Sequence, residues 1–215
     1  MRAQFHATQR PHDMREVWAD GVVHVTGATL GLTGGILLLI HVGGGGLPWQ
    51  GVAVYVASLV AMLGFSATYN IWPVSKMKWL LRRFDHAAIY FLIAGTYTPL
   101  LRFLESRTEA IVLGAVIWTG AVIGMALKFF APGRFDKLAI AIYLALGWAG
   151  ILSAGSFLRV LPVPVSALIA AGGIIYSLGV IFHVWDRLRF QNAIWHGFVA
   201  IAAACHFAAI PTLYS

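Results

Sequence analysis

Cysteine is almost absent from this chain, since Cys205 is the single one among 215 residues. An intrachain disulfide is therefore impossible, and no cysteine-based zinc or redox motif can be written. Charge is scarce as well: Asp, Glu, Lys and Arg make up 11% of the residues, where soluble proteins have about a quarter. Hydrophobic residues reach 60%. This composition excludes an ordinary soluble domain and indicates a chain that lies in lipid.

Acidic residues are few beside basic ones, and the formal net charge is +7. In a soluble chain this excess would suggest nucleic-acid binding. Here the cations occupy short segments between apolar blocks, where they direct membrane topology and contact anionic headgroups. We therefore expect membrane lipids as partners, and no nucleic acid. The first twenty residues also lack an apolar core, so no cleavable signal peptide is expected.

Long uncharged stretches are abundant. Seven have about the 20 residues that a helix needs to cross the hydrocarbon core. They are residues 22–41, 51–72, 84–101, 110–127, 138–157, 165–182 and 193–213. Because the runs are continuous and do not alternate, they predict helices and not barrel strands. The sequence thus predicts an all-α, seven-transmembrane bundle that forms one domain over residues 22–215, after a short cytoplasmic segment over residues 1–21.

The distribution of Lys and Arg between the spans predicts the orientation. Twelve fall on one side: Arg2, Arg10, Arg15, Lys76, Lys78, Arg82, Arg83, Lys128, Arg134, Lys137, Arg187 and Arg189. Three fall on the other side, namely Arg102, Arg107 and Arg159. We therefore expect a cytoplasmic N-terminus and an external C-terminus. The oligomeric state is open, because small-residue patches pack within a bundle as readily as between chains.

Polar side chains within the spans gather at one depth, near the cytoplasmic ends. These are His24, Ser66, Asn70, Asp85, Asn192 and His196. Ser66 and Asn70 are four residues apart, as are Asn192 and His196, and residues at this spacing share a helix face. One interpretation is a cavity that binds a ligand or a metal, because ionisable groups in lipid are costly. The alternative is helix capping and interhelical hydrogen bonding, with Asp85 in an interfacial ion pair beside Arg82 and Arg83.

Three segments carry a resemblance to a known family. They are SATYN at 66–70, RRFDHAAIYFLIAGTYTP at 82–99 and NAIWHGFVAIAAACHF at 192–207. The chain resembles the hemolysin III family, the bacterial branch of the progestin and adipoQ receptor superfamily that includes the adiponectin receptors. The early pattern of Glu16, Asp20 and His24 fits the family as well. The resemblance implies seven helices with a cytoplasmic N-terminus, in agreement with the charge distribution. It also implies a multi-pass protein of the bacterial inner (plasma) membrane.

The resemblance also implies a zinc site and shows where this chain departs from it. The superfamily holds zinc with the histidine of a Ser-x3-His motif and both histidines of a His-x3-His motif, while an aspartate holds a zinc-bound water. By position, Ser66 and Asp85 match as candidate catalytic residues, and His196 matches as a metal ligand. Asn70 and Asn192 stand at the other two ligand positions. A neutral amide oxygen is a poor substitute for imidazole, so zinc is doubtful as a cofactor.

Three functions follow as alternatives. The first is a metal-poor protein that binds a lipid or fatty acid, or senses the membrane, through Asn70, Asn192 and His196. The second is a zinc-dependent hydrolase of a lipid amide such as ceramide, with an atypical metal site that recruits His24 beside His196 and Asp85. The third is conduction of protons or solutes, or cytolytic activity. The sequence thus leaves open whether the protein is an enzyme.

Overall fold

The computed structural model describes residues 13–185 and 187–214, and regular structure within them is entirely helical. Eight α-helices and one 3₁₀ segment follow one another along these described residues. They are α1 (Met14–Gly44), α2 (Gln50–Ile71), α3 (Lys76–Leu101), α4 (Arg107–Phe130), α5 (Asp136–Gly147), the 3₁₀ segment (Ala149–Ser153), α6 (Ala154–Val160), α7 (Val163–His183) and α8 (Gln191–Leu213). The predicted all-α class is confirmed.

The first helix begins earlier than residue 22, where the uncharged run starts. Asp13 and Glu16 form a reciprocal capping box, in which each side chain accepts a backbone N–H of the first turn. The helix therefore begins at Met14, and its first turns carry charged residues. Helix α3 likewise begins before its uncharged run at residue 84, because the Ser75 hydroxyl accepts the Lys78 N–H and caps the helix start. The absence of charge thus marks where the apolar span begins, whereas the capping hydrogen bonds mark where the helix begins.

The fifth predicted span, residues 138–157, is not one helix. It comprises α5, the 3₁₀ segment and α6. The hydroxyl of Tyr97 on α3 stabilises the break, because it donates to the Gly147 carbonyl at 2.8 Å and accepts the Gly150 N–H at 2.9 Å. Backbone groups freed inside an apolar bundle need such partners. Taken together, Asp136–Val160 is still long and apolar enough to cross a membrane.

Helix α3 lies at the centre of the bundle, in contact with α2, α4 and α5. The packing is close: a Cβ at Gly95 would overlap the Ser58 hydroxyl of α2, and a Cβ at Gly124 of α4 would overlap the Tyr90 ring. Six stretches in the described residues are long and apolar enough to cross a membrane, and α3 is not among them. Its neighbours are mostly protein, so it needs less apolar surface than an outer helix.

The outer helices turn apolar side chains outward. Leu37 on α1 is 62% exposed and Leu152 in the 3₁₀ segment is 79% exposed. Helix α1 packs between α2 and α8, and α7 packs along α8. Helices α1 and α8, the first and last in the described residues, are therefore neighbours, which brings together residues that lie far apart in the sequence.

Candidate functional site

The site begins with one face of α1, where Glu16, Asp20 and His24 follow one another at four-residue spacing. Glu16 is buried, and its carboxylate accepts the Asp13 N–H and the Phe190 N–H, each at 3.0 Å. Phe190 precedes α8 in the left-handed backbone region, with φ of 59°, which is uncommon for a residue other than glycine. Glu16 thus ties the start of α1 to the start of α8.

The carboxylate of Asp20 joins α1 to α8 one turn further on. Its Oδ2 accepts the Asn192 amide at 2.7 Å, and its Oδ1 lies 3.1 Å from His196 Nδ1. Asp20 is a site residue that the sequence interpretation did not select. The four-residue spacing to His24 is the signal that points to Asp20, because residues at this spacing share a helix face. Its charge, however, places Asp20 before the uncharged span, which starts at residue 22.

Ser66 of α2 lies between two imidazoles. Its hydroxyl oxygen is 3.2 Å from His24 Nε2 and 3.4 Å from His196 Nε2. The two rings meet edge to face with centroids 4.2 Å apart. Asp85 is buried and approaches the Ser66 hydroxyl from α3. Side chains from α1, α3 and α8 therefore meet at this serine of α2.

Asn70 and Asn192, which stand at the two family ligand positions, bond to each other. The Asn192 amide donates to Asn70 Oδ1 at 3.0 Å. The Asn70 amide in turn donates to the Ser66 carbonyl at 2.9 Å and lies 3.0 Å from His24 Nε2. The two asparagines therefore close a network that bridges α1, α2 and α8. We call it the polar network: Asp20, His24, Ser66, Asn70, Asn192 and His196.

The proton positions in the polar network follow from its donors. His24 Nδ1 is 2.8 Å from the Asp20 main-chain carbonyl, so this nitrogen carries the proton, and Nε2 accepts from Asn70. His196 Nδ1 faces the Asp20 carboxylate and likewise carries the proton, which leaves Nε2 as an acceptor for Ser66. Each side chain of this network thus has at least one protein partner.

The residues at the family zinc positions do not fit that metal, because both amides are engaged with protein partners and offer only neutral oxygens. A different set comes closer. Asp20, His24 and His196 each offer one donor atom, and these three atoms lie within 4.8 Å of one another. The predicted atypical set paired the two histidines with Asp85, whereas in the structure Asp20 is the carboxylate between them.

A large cavity, which we call the polar cavity, opens on one side of the polar network. It has a volume of about 920 Å³, and Asp20, Asn70 and Asn192 stand in its wall with Trp18 and Lys78. The other residues expected in such a cavity, His24, Ser66, Asp85 and His196, do not line it and lie deeper in the bundle. Of the predicted cavity residues, only the two asparagines are thus accessible from this cavity.

A second cavity, which we call the apolar cavity, extends in the opposite direction between α3, α5, α7 and α8. Its volume is about 270 Å³. Three of its wall residues stand close to the site along their helices: Met62 is four residues from Ser66, Ile89 is four from Asp85, and Trp195 precedes His196. Three hydroxyls in the wall, those of Tyr143, Ser166 and Tyr176, have no hydrogen-bond partner among the described residues.

Comparison with known proteins finds relatives that match most of this chain. Residues 13–207 match the family model described as haemolysin-III related. Hemolysin-3 of Bacillus cereus is 36% identical, over 93% of this chain and 92% of that protein. The hemolysin-3 homolog of Bacillus subtilis (strain 168) is 32% identical, over 90% and 92%. The human monocyte to macrophage differentiation factor is also 32% identical, over 75% and 70%.

Proposed function

The chain belongs to the haemolysin III-related family, and from this membership and the site geometry we propose that it binds a membrane lipid without a metal. It is a multi-pass membrane protein, and we place it in the bacterial inner membrane with seven crossings. The polar head of the lipid meets the polar network, and one acyl chain occupies the apolar cavity. A fatty acid is the simplest ligand of this shape.

The observation that carries this proposal is the apolar cavity with its three unpartnered hydroxyls. A buried hydroxyl without a partner costs about 1–3 kcal/mol, so Tyr143, Ser166 and Tyr176 are expected to pair with something that enters the cavity. Ligand sites are typically apolar cavities with a few such polar groups. An amphipathic molecule satisfies both the apolar wall and the hydroxyls.

The polar network supports the metal-free form of the proposal. Its amides and imidazoles already have protein partners, and Asn70 and Asn192 face the polar cavity. Amide groups exchange hydrogen bonds with the oxygens of a lipid head without any change of charge. Helix α3 supplies the one crossing that is not among the six apolar stretches. Its central position among other helices explains its lower hydropathy.

Binding of a fluorescent long-chain fatty acid tests the proposal. We expect saturable binding to the purified, delipidated protein in detergent. Tyr143→Phe and Tyr176→Phe each remove one cavity hydroxyl, and loss of a hydrogen bond of about 1 kcal/mol weakens affinity about fivefold. Fluorescence titration measures the affinity. Tyr214→Phe is the matched control, because its buried hydroxyl also lacks a partner in the described chain but does not line the cavity.

Two outcomes would contradict lipid binding in this cavity. One is the absence of saturable binding to folded wild-type protein. The other is an equal effect of Tyr214→Phe and the two cavity variants, which would place the probe on the detergent-covered surface. Bound lipid that native mass spectrometry detects in wild type but not in the cavity variants would support the proposal independently.

A second candidate function rests on the closeness of Asp20, His24 and His196. Two imidazoles and a carboxylate are a common donor set for a catalytic divalent metal. Such a metal would act as a Lewis acid on a lipid amide. His24→Asn and His196→Asn would then each abolish zinc binding measured by titration calorimetry, whereas His206→Asn, on the same helix as His196, would leave it unchanged.

A further inference from the structure

Three groups of the polar network stand in an order that the lipid-binding proposal does not use. The Ser66 hydroxyl oxygen is 3.4 Å from His196 Nε2, and His196 Nδ1 is 3.1 Å from Asp20 Oδ1. The other oxygen of Asp20 accepts the Asn192 amide at 2.7 Å, which fixes the carboxylate. A hydroxyl, an imidazole and a carboxylate in this order form the arrangement that activates a serine nucleophile.

We propose that Ser66 is a nucleophile for metal-independent acyl transfer from a lipid ester, with His196 as general base and Asp20 as the residue that positions His196. The inference rests on the proposed lipid binding and adds a reaction to it. The hydroxyl-to-imidazole distance of 3.4 Å is longer than an ideal hydrogen bond, and such contacts are often loose before substrate binds.

His196 is the base, although His24 also approaches the hydroxyl. The Nε2 atom of His24 receives the Asn70 amide at 3.0 Å, and its Nδ1 donates to a main-chain carbonyl at 2.8 Å. His24 Nε2 is therefore already paired with Asn70, and its Nδ1 lies 3.4 Å from Asp20 Oδ1, farther than the 3.1 Å that separates that oxygen from His196 Nδ1. His196 faces the carboxylate with one nitrogen and the hydroxyl with the other, as proton transfer requires.

The lipid reaches Ser66 from the apolar cavity. Met62, Ile89 and Trp195 line the cavity and lie within about one helical turn of Ser66, Asp85 and His196. An acyl chain there places its ester carbonyl at the level of the polar network. Ser66 is itself buried, with 4% of its surface exposed, so competing water is scarce during attack. The oxygens released with the leaving group face the polar cavity, where Asn70 and Asn192 stand.

The reaction balances with water as the only co-reactant. Ser66 Oγ forms a bond to the carbonyl carbon while its proton passes to His196 Nε2. The ester C–O bond then breaks, and the leaving alkoxide takes that proton and departs as an alcohol. Water next attacks the acyl-serine as His196 accepts its proton, the acid is released, and the proton returns to Ser66. Asp20 stays ionised and stabilises the charged imidazole.

Labelling with an alkyl fluorophosphonate tests the proposal. Ser66 would form a P–O bond and expel fluoride, so intact-mass spectrometry of the full-length protein in detergent with excess chelator should show one adduct, which peptide mapping places on Ser66. Ser66→Ala should abolish it. Ser58→Ala is the matched control, because Ser58 is equally buried on the same helix but donates to a main-chain carbonyl.

Rates of labelling separate the roles. His196→Ala should slow labelling at least about 100-fold, the usual contribution of a general base, whereas His24→Ala should have a much smaller effect. Asp20→Asn should lower the maximal rate and leave the half-saturating probe concentration unchanged, because it acts on His196 and not on the probe. A merely structural role for Asp20 would change both.

Several results would overturn the proposal. They are no adduct on Ser66 in protein that still unfolds cooperatively, labelling that persists in His196→Ala but is lost in Asp85→Asn, or labelling that chelation removes. Fatty-acid binding is measured on the same samples. Binding without labelling rejects the nucleophile and retains lipid binding, whereas loss of both in wild type rejects the proposed function itself.

Discussion

Asp20 contacts more of the polar network than any other carboxylate in the described chain. It joins His196, Asn192 and, through its main chain, His24. A carboxylate at this point is compatible with amides at positions 70 and 192, because the Asn192 amide donates to Asp20 while the Asn70 amide donates to His24 and to the Ser66 carbonyl. Imidazoles at those positions would carry fewer donors in their neutral form. The two asparagines and Asp20 therefore form a coherent set of hydrogen-bonding groups.

The asparagines are the subject of a prediction at the residue scale. We expect purified wild-type protein to hold well below one zinc per chain, and Asn70→His with Asn192→His to raise the content toward one. The new rings would stand beside His196 around an existing site, which limits reorganisation. Elemental analysis after identical chelator washing measures the ratio.

Thr68→His is the control for this experiment, since it adds an exposed imidazole to the same helix. One tightly held zinc per wild-type chain would overturn the metal-free interpretation and favour the hydrolase with Asp20, His24 and His196. A double variant that loses its unfolding transition without gaining zinc would mean that the rings clash where amides fit.

Sequence reasoning reached most residues of the site but not Asp20. Helical spacing and equal depth select Ser66 with Asn70, and Asn192 with His196, because these features are local. Asp20 belongs to the early pattern that fits the family, but it is not among the predicted cavity residues because its charge places it before the uncharged run. The capping pattern of Asp13 and Glu16 gave the true helix start, which shows that a membrane helix can begin well before its apolar span.

At the scale of elements, the seven apolar runs correspond to helical segments, but the break after Gly147 could not be read from them. The segment from Trp148 to Ser153 is apolar, and its change of backbone depends on Tyr97, about fifty residues earlier in the chain. Long-range hydrogen bonds of this kind leave no local pattern. The low hydropathy of α3 has the same origin, because its environment is set by other helices.

Close packing between α2 and α3 leads to a second prediction. Gly95→Ala should lower thermal stability, because the new methyl group would overlap the Ser58 hydroxyl. Overpacking costs typically 1–3 kcal/mol, which outweighs the gain of at most about 1 kcal/mol in helix propensity. Thermal unfolding in detergent, followed by circular dichroism, measures the shift.

Gly64→Ala on α2 is the matched control, because a Cβ there would meet nothing within 4 Å. It should leave the unfolding temperature equal or higher. Ser58→Gly in the Gly95→Ala background should recover part of the loss, since it removes the overlapping side chain. Equal stability of the two alanine variants would contradict the packing argument.

At the scale of the whole molecule, the topology is open to a direct test. Seven crossings from a cytoplasmic N-terminus place the C-terminus outside, so alkaline phosphatase fused after the last residue should be active. The result depends on whether the number of crossings is odd or even: if α3 did not cross, six crossings would place the same fusion in the cytoplasm. The assay therefore tests α3 and the charge-based orientation together.

A fusion at Gly133, between α4 and α5, is the control and should be inactive, because Lys128, Arg134 and Lys137 mark that side as cytoplasmic. An inactive C-terminal fusion beside a fluorescent cytoplasmic reporter at the same point would rule out this topology. The composition alone predicts the helical membrane class, but the number of crossings depends on α3, whose hydropathy is the lowest.

The contact between α1 and α8 has a consequence for biosynthesis. Asp20 and His196 are separated by 176 residues, so the ribosome makes Asp20 long before it makes His196. Until α8 emerges, Asp20 and His24 lie in a partly built bundle without their counterparts. The polar network therefore forms only after α8 has been made, and a chain that stalls before α8 lacks both the chemistry of the network and the contact between α1 and α8.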